Sequence, residues 1–496
     1  MKKASLFAAW MAVFILLAQS VQAQPKTGTT NGDLQGNLSI LNLFGEQPET
    51  MRQLYSAAYA VLASDPQASF ADVARDPGIR RLCSENAILH FGGPMLGSVT
   101  PDGATIWVRT AQPAKVEVRA TVNGEEKSFG PVTTSDASDL TAIVPVTGLP
   151  PNTRCPYRVL IDGMPIAVPG DAAIRTAPES SRTGRVRIAF GSCFHRWGLG
   201  NHVLADRIRG RNPAALLLMG DIAVQDRNNH LGLHRADYLL RDCHPAWRSL
   251  VASIPVYATW DDHDYFDNDK AGIPPGFTGK DRAGVRRVFE QAWNNPAYGF
   301  PDDRGGVFFR TRIGPCDIVM LDNRYFRTGQ KGSFLGEEQM QWLEDQLLDC
   351  QGPFIILSCG TMWSDYVSAG KDSWGRWDPE GRERIFRLIE KNHIGGVLLI
   401  SGDRHGARGF RIPRPGGFAF YEFGAACLGA RTGPPVTDPE WTTQLYGIEG
   451  QYAFGEFNFD ATVADPEVAF RLIQEDGEEL YNLTLTRRQL TPGNAP

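Results

Sequence analysis

The 496-residue sequence predicts a layered α/β domain with a smaller β-sandwich ahead of it. Three observations lead there. After about residue 183, six apolar runs each end in polar residues. Stretches of helical periodicity lie between those runs, and near-continuous apolar strands are what a sheet covered on both faces requires. From about Phe91 to Ala177 the texture differs: short segments alternate apolar and polar residues and are broken by turn signals. A chain of this length is expected to form two or three units. Its apolar and charged fractions, 42% and 21%, are those of a folded globular protein and exclude bulk disorder.

At the start, Lys2 and Lys3 precede an apolar run, Leu6 to Leu17, and Val21-Gln22-Ala23 offers a small-residue cleavage site. This predicts a secretory signal peptide over residues 1–23, cleaved after about Ala23, and an exported protein, periplasmic or secreted. Gln19, Ser20 and Gln22 end the run too early for a membrane anchor, and no other run reaches spanning length. With no twin arginine nearby, general secretion is the expected route. Residues 1–23 carry two lysines and no acids, so their removal takes the formal charge from −6 to −8. No basic stripe is present, which argues against nucleic acid as a standing partner. The eight cysteines would be free to pair in an oxidising compartment, in a pattern that spacing leaves open.

Residues 24–85 open with a Gly/Thr/Asn-rich stretch, read as a loose arm, followed by a helix over Pro48 to Ala63 with Met51, Leu54, Tyr55, Ala58 and Val61 on one face. Residues 86–178 form the sandwich. Thr105-Ile-Trp-Val-Arg and Lys115-Val-Glu-Val-Arg-Ala-Thr-Val alternate, while Pro101-Asp-Gly, Asn123-Gly and Asp162-Gly mark turns. No catalytic group stands out in it, and a packing or positioning role is expected.

Residues 183–496 hold the layered domain. The runs are Val186 to Cys193, Ala215 to Asp221, Val256 to Asp262, Ile318 to Asp322, Phe354 to Cys359 and Val397 to Asp403. Between them, Glu337 to Leu348 puts Met340, Leu343 and Leu347 on one helical face. Asp378-Pro379 offers an N-cap and first-turn proline for a helix through Ile389. Residues 429–450, rich in Gly, Pro and Thr, read as a surface loop. Glu456 to Asp460 and Val468 to Thr486, turning at Asp476-Gly477, read as a closing hairpin.

The chemistry gathers at the strand ends, where sites of open α/β sheets lie. Ile254 to Asp269 finishes a β-branched strand in Asp261-Asp262-His263-Asp264. With Cys193, His195, Asp221, Asp403 and His405 these residues supply carboxylate, imidazole and thiolate donors, a set that binds divalent or trivalent cations when brought together. A carboxylate shared by two cations holds them about 3.5–4 Å apart, a pair suited to in-line displacement at phosphorus. An imidazole beside them can protonate a leaving alkoxide, and a neighbouring carboxylate, a task open to Asp264, can orient that ring. The loop reading stands beside this one: Asp267, Asn268 and Asp269 are explained by turn chemistry alone. Cys193 reads as ligand or half-cystine, and His195 equally as ligand or loop residue. Cys359 reads as a buried thiol. Trp363, Trp374 and Trp377 read as core, with a pocket wall as the alternative, while His90, His202, His230, His234, His244 and His393 read as structural.

Gly220-Asp221, Asp262-His263-Asp264 and Gly402-Asp403-Arg404-His405 resemble the GD, GN-H-[DE] and GHxH blocks of calcineurin-like metallophosphoesterases. More closely, Phe190-Gly-Ser-Cys193, Trp260-Asp-Asp-His-Asp264, Leu321-Asp-Asn-Arg324 and Ser401-Gly-Asp-Arg-His405 resemble the PhoD-like alkaline phosphatase family. That resemblance implies a metallophosphoesterase-type domain of mixed sheets flanked by helices. It also implies exported, metal-dependent hydrolysis of phosphate monoesters and diesters, with iron and calcium as the ions. Carried over residue by residue, Cys193, Asp221, Asp262, Asp403 and His405 fall on metal-ligand positions, Asp221 on the bridging one, and His263 on the catalytic histidine. Arg324 is a candidate for bidentate contact with phosphate, with a salt bridge to Asp322 as the alternative. The family's GDxxY tyrosine falls on Val224, which cannot ligate. Tyrosinate colour is therefore expected to be absent, zinc or manganese stand beside iron and calcium for the two metal ions, and His195 is a candidate for the missing ligand. Leu149-Pro-Pro-Asn-Thr153 with Tyr157 resembles the corner of fibronectin type III domains, although Cys155 sits where their tyrosine usually stands.

Two other functions remain open on the same residues: a phospholipase D-type phosphodiesterase acting on phospholipid head groups, and a non-catalytic, metal-stabilised exported binding module.

Overall fold

The computed structural model describes residues 32–179, 183–302, 304–328, 332–365, 373–433 and 443–493. The segment read as a signal peptide and most of the segment read as a loose arm lie outside the described residues.

All six apolar runs are strands, and they divide between two mixed sheets. In the six-stranded sheet, Val256–Thr259, Ala215–Met219 and Arg185–Gly191 run parallel. Antiparallel strands Ala453–Asp460, Glu467–Gln474 and Glu479–Thr486 extend it. In the seven-stranded sheet, Cys316–Met320, Phe354–Cys359, Val397–Ser401 and Ala419–Gly424 run parallel. Phe309–Ile313 pairs antiparallel with Cys316–Met320 on one side; on the other, Ala407–Pro413 pairs antiparallel with Ala419–Gly424 and, in turn, with Gln444–Ile448. The last of these corrects the loop expected over residues 429–450.

The two sheets face each other. Ile188, Phe190, Leu217, Met219 and Tyr257 of one share a core with Ile318, Met320, Ile356, Leu398 and Phe423 of the other. Alternate residues point outward to helices. Leu216, Leu218 and Val256 meet Leu204, Ile208, Trp247 and Leu250. On the other side Ile355, Leu357 and Leu399 meet Leu343 and Leu347 of helix Gly336–Asp349 and Ile385 and Ile389 of helix Pro379–Lys391. Helix, sheet, sheet, helix is the resulting order. A strand with apolar neighbours on both faces has little use for polar positions, which is why these runs carry few.

Ahead of this domain, a sheet of His90–Thr100, Gly103–Thr110 and Thr141–Val146 packs on another. The second is built from Glu125–Thr133, Lys115–Val122, Arg154–Ile161 and Met164–Pro165, with Ala173–Arg175 pairing to Arg154–Ile161. Their inner faces meet through Ile106, Val108 and Val144 against Val116, Val118 and Val159. Tyr157 does not act as a corner residue within the sandwich. Its hydroxyl donates to the Ala252 carbonyl of the layered domain at 2.8 Å, while Cys155 fills the sandwich core. In return the Tyr257 hydroxyl accepts from the Val99 amide at 2.8 Å, and the Trp107 indole donates to the Gln291 carbonyl at 3.0 Å.

The expected N-terminal helix is Glu49–Ser64, and three shorter helices, Leu34–Leu41, Phe70–Arg75 and Pro77–Glu85, surround it. Leu54, Tyr55, Ala58 and Leu62 pack on Ala236, Leu239, Leu240 and Cys243 of helix Leu231–Cys243. That helix is buried over most of its circumference, charged residues included, and touches the N-terminal helices on one side and the sandwich on another. No helix among the described residues is long and apolar enough to cross a membrane.

Candidate metal centre

Four strand ends deliver the candidate donors. Arg185–Gly191 leads to Cys193 and His195, and Ala215–Met219 to Asp221. Val256–Thr259 leads to Asp261, Asp262 and His263, and Val397–Ser401 to Asp403 and His405. To turn these side chains over the sheet edge the backbone takes left-handed conformations at Cys193, His195, Asp221 and Asp403, with φ of +56°, +44°, +57° and +61°. Each costs a non-glycine residue about 1–2 kcal/mol, strain that collects where geometry matters more than stability. Backbone bonds hold the turns together: the His195 amide donates to the Asp221 carbonyl at 2.8 Å and Cys193 to Gly220 at 3.1 Å. Gly220, at φ +90°, lies so close to the next loop that a Cβ would meet the Asp261 nitrogen at 2.3 Å. Only glycine allows that approach.

Three overlapping sets result, Cys193–His195–His405, His195–Asp221–His263 and Asp221–Asp261–Asp262–Asp403, each with donor atoms within 4.8 Å of one another. Asp221 belongs to two of them. All the metal-ligand candidates meet here, and Asp261, not among them, joins. Cys193 is a free thiol 3.6 Å from the Asp221 carboxylate, and all eight cysteines are free. Four carboxylates in one place repel, with Asp221, Asp261 and Asp262 buried and Asp403 partly so. Burial, aided by Asp262 and Asp261, pushes Asp221 far above the usual carboxylate range, and Asp261 rises to about 8. Asp221 Oδ1 and His195 Nε2 are buried with no hydrogen-bond partner. Oxygen, nitrogen and sulfur donors so arranged, with buried lone pairs unmatched, fit cations well.

His263 faces the same cluster, its ring centroid 5.0 Å from that of His195. Its Nδ1 lies 2.6 Å from Asp226 Oδ1. Burial alone would lower its pKa, but the carboxylates of Asp221, Asp226 and Asp262 push it up to about 11. The residue orienting it is therefore Asp226, not Asp264. Asp264 instead accepts the amides of Ile222 and Ala223 at 3.2 and 3.3 Å and pins the loop that follows Asp221. Nothing in spacing distinguished Asp226, since it sits in an ordinary polar loop. Its one visible signal is its place five residues after Asp221.

Arg324 is also corrected. It is 1% exposed and grips both oxygens of Asp261, at 2.5 and 3.0 Å, so it is not turned towards a ligand. Asp322, its expected alternative partner, accepts instead from the Trp260 indole at 2.7 Å and from the amides of Val307, Arg324 and Tyr325. Val224 is buried in apolar surroundings. Trp363 and Trp374 stack on each other in the core, 5.0 Å between centroids, and the Trp374 indole donates to the buried Cys359 sulfur. His234 Nε2 bonds the Asn228 carbonyl away from the donors.

The model of the PhoD-like phosphatase family matches residues 199–486, and that of a domain of unknown function, DUF7800, matches residues 88–179. Alkaline phosphatase D of Bacillus subtilis (strain 168) is 24% identical over 246 residues, covering 43% of this chain and 40% of that relative. Among solved structures, that of PhoD is similar with a TM-score of 0.66 and 16% identity, over 79% of this chain and 92% of the other. Purple acid phosphatase PPD1 from yellow lupin (Lupinus luteus) seeds is similar at 0.57 and 13%, over 80% and 75%. At these identities the likeness to both structures is one of fold.

Proposed function

Because the chain belongs to the PhoD-like phosphatase family, whose model matches residues 199–486, we propose that it is an exported, metal-dependent hydrolase of phosphate esters working with two cations. One observation supports this reading above the rest: oxygen, nitrogen and sulfur donors from four strand ends come within reach of one another, and Asp221 Oδ1 and His195 Nε2 among them are buried without a hydrogen-bond partner. Cys193, His195, His405 and Asp221 would hold one cation, and Asp221, Asp262, Asp403 and Asp261 the other. Such a pair, when bound, polarises a phosphoryl oxygen and makes a nucleophile available near neutral pH. The chain's own tasks are positional. Asp226 holds the His263 ring by Nδ1, leaving Nε2 to donate a proton to the leaving alkoxide. Asp264 and Gly220 keep the Asp221 loop seated against Asp261.

Zinc or manganese join iron and calcium as candidate ions, since Val224 supplies no phenolate. Residues 86–178 are read as a fibronectin III-like positioning domain, a reading supported by the pairing of their strands into three- and five-stranded sheets. The test is hydrolysis of p-nitrophenyl phosphate and of its bis-ester, abolished by chelator and restored by added metal. Asp262→Ala is expected to remove activity without unfolding, and full activity in that variant would overturn the reading.

A further inference from the structure

Gln225 is used by none of the roles above, yet its side chain lies between the two histidines that matter most. Its Nε2 donates to Asp226 Oδ2 at 2.9 Å, and its Oε1 meets His195 Nδ1. Nε2 also lies 2.9 Å from His263 Nδ1, but the hydrogen on that ring nitrogen goes to Asp226 Oδ1, so the approach is one of two donors sharing a carboxylate and not a bond between them. The orientation of the amide follows from its neighbours. A carboxylate accepts hydrogen bonds and cannot donate them, so the NH2 end faces Asp226 and the carbonyl end faces His195. A carbonyl oxygen in turn requires a hydrogen on His195 Nδ1. The lone pair of the neutral ring is therefore on Nε2, the buried atom without a partner, 3.8 Å from Asp221 Oδ2.

We propose, on the metal-dependent reading above, that Gln225 is a positioning residue. It presents His195 to the cation in its Nε2-ligating form, and so relays the hydrogen-bond polarity of one carboxylate, Asp226, to both imidazoles. His263 receives that polarity directly through Nδ1, and His195 receives it through the amide. His195 thereby takes its place in the ligand set with its tautomer fixed in advance, the arrangement by which a second hydrogen bond raises a histidine's worth as a ligand. The backbone supports the placement: the Gln225 amide donates to Asp237 Oδ2 at 3.2 Å, tying it to the buried helix behind the site.

The experiment is a double-mutant cycle on metal affinity in the chelator-treated full chain, titrated with zinc(II) and manganese(II) singly. Gln225→Leu is expected to weaken binding about 10- to 100-fold. Gln225→Glu keeps an acceptor on His195 and is expected to retain most of the wild-type affinity. In the His195→Ala background, Gln225→Leu is expected to change affinity no further, because its effect runs through the imidazole. Equal weakening in both backgrounds, or none in either, overturns this inference while leaving the metal reading intact. A wild-type chain that binds neither ion overturns both. Thermal melts of each variant identify any loss caused by unfolding, and Gln225→Ala, which also removes the acceptor from His195, takes the place of Gln225→Leu in the cycle if that variant does not fold.

Discussion

Asp226 and Asp264 divide a task that the sequence assigned to one of them. Both are acidic and both lie near His263, but only the folded structure separates a carboxylate that meets the ring from one that meets backbone amides. Asp226→Asn is expected to lower kcat about 10- to 100-fold at saturating metal, measured by steady-state kinetics beside elemental analysis. His263→Ala is expected to cost about 10²- to 10⁴-fold, the range of a lost general acid. Asp264→Ala leaves two buried amides unmatched and should lower stability by about 1–3 kcal/mol, read from a denaturant titration. The clustering of the candidate ligands was legible, because each follows an apolar run at a strand end. Gln225, Asp226 and the Asp261–Arg324 pair were not, because their meaning lies in contacts across distant loops.

Among the elements, the six strands could be read directly, since burial on both faces writes itself into composition. Strand Gln444–Ile448 could not. It is five residues long, half-buried, and surrounded by the glycine, proline and threonine of a loop. Helix Leu231–Cys243 shows a different limit: burial of most of its circumference erases the polar stripe that marks an amphipathic helix. Its Asp237 takes both forks of Arg227 at 2.7 Å. Asp237→Ala would leave that guanidinium buried and unpaired and is expected to cost about 3–5 kcal/mol, measured as a loss of unfolding free energy. On the central sheet Glu456, wholly buried, is bound by Arg211 at 2.6 and 2.8 Å. Burial opposes its ionisation, but the bonds from Arg211 and Asn458 hold its pKa below the ordinary 4.5. A depressed folded value means stability that is present above the unfolded pKa and lost as pH falls through the folded one. Glu456→Gln should therefore flatten the acid limb of a melting-temperature profile below about pH 4.5.

For the whole molecule, metal and fold are expected to be linked. On the metal-dependent reading proposed above, cations offset the repulsion among the clustered carboxylates, so chelator should lower the melting temperature. Saturation at about 100 times Kd corresponds to about 2.7 kcal/mol, and scanning calorimetry with and without added metal measures it. The division into a sandwich and a layered domain was legible from the change in strand texture. Their bonding was not, since Tyr157 and Tyr257 look like core residues until each is seen reaching into the other's territory.

Helices Leu34–Leu41 and Glu49–Ser64 rest their oily side on Leu231–Cys243, a support that emerges from the ribosome long after they do, and the two helices that follow them rest on Glu49–Ser64. Made first, they have nothing to settle on and must wait, exposed, while the sandwich and the opening strands are built. A segment translated early is thus among the last to find its support, and its apolar side stays open to water until then.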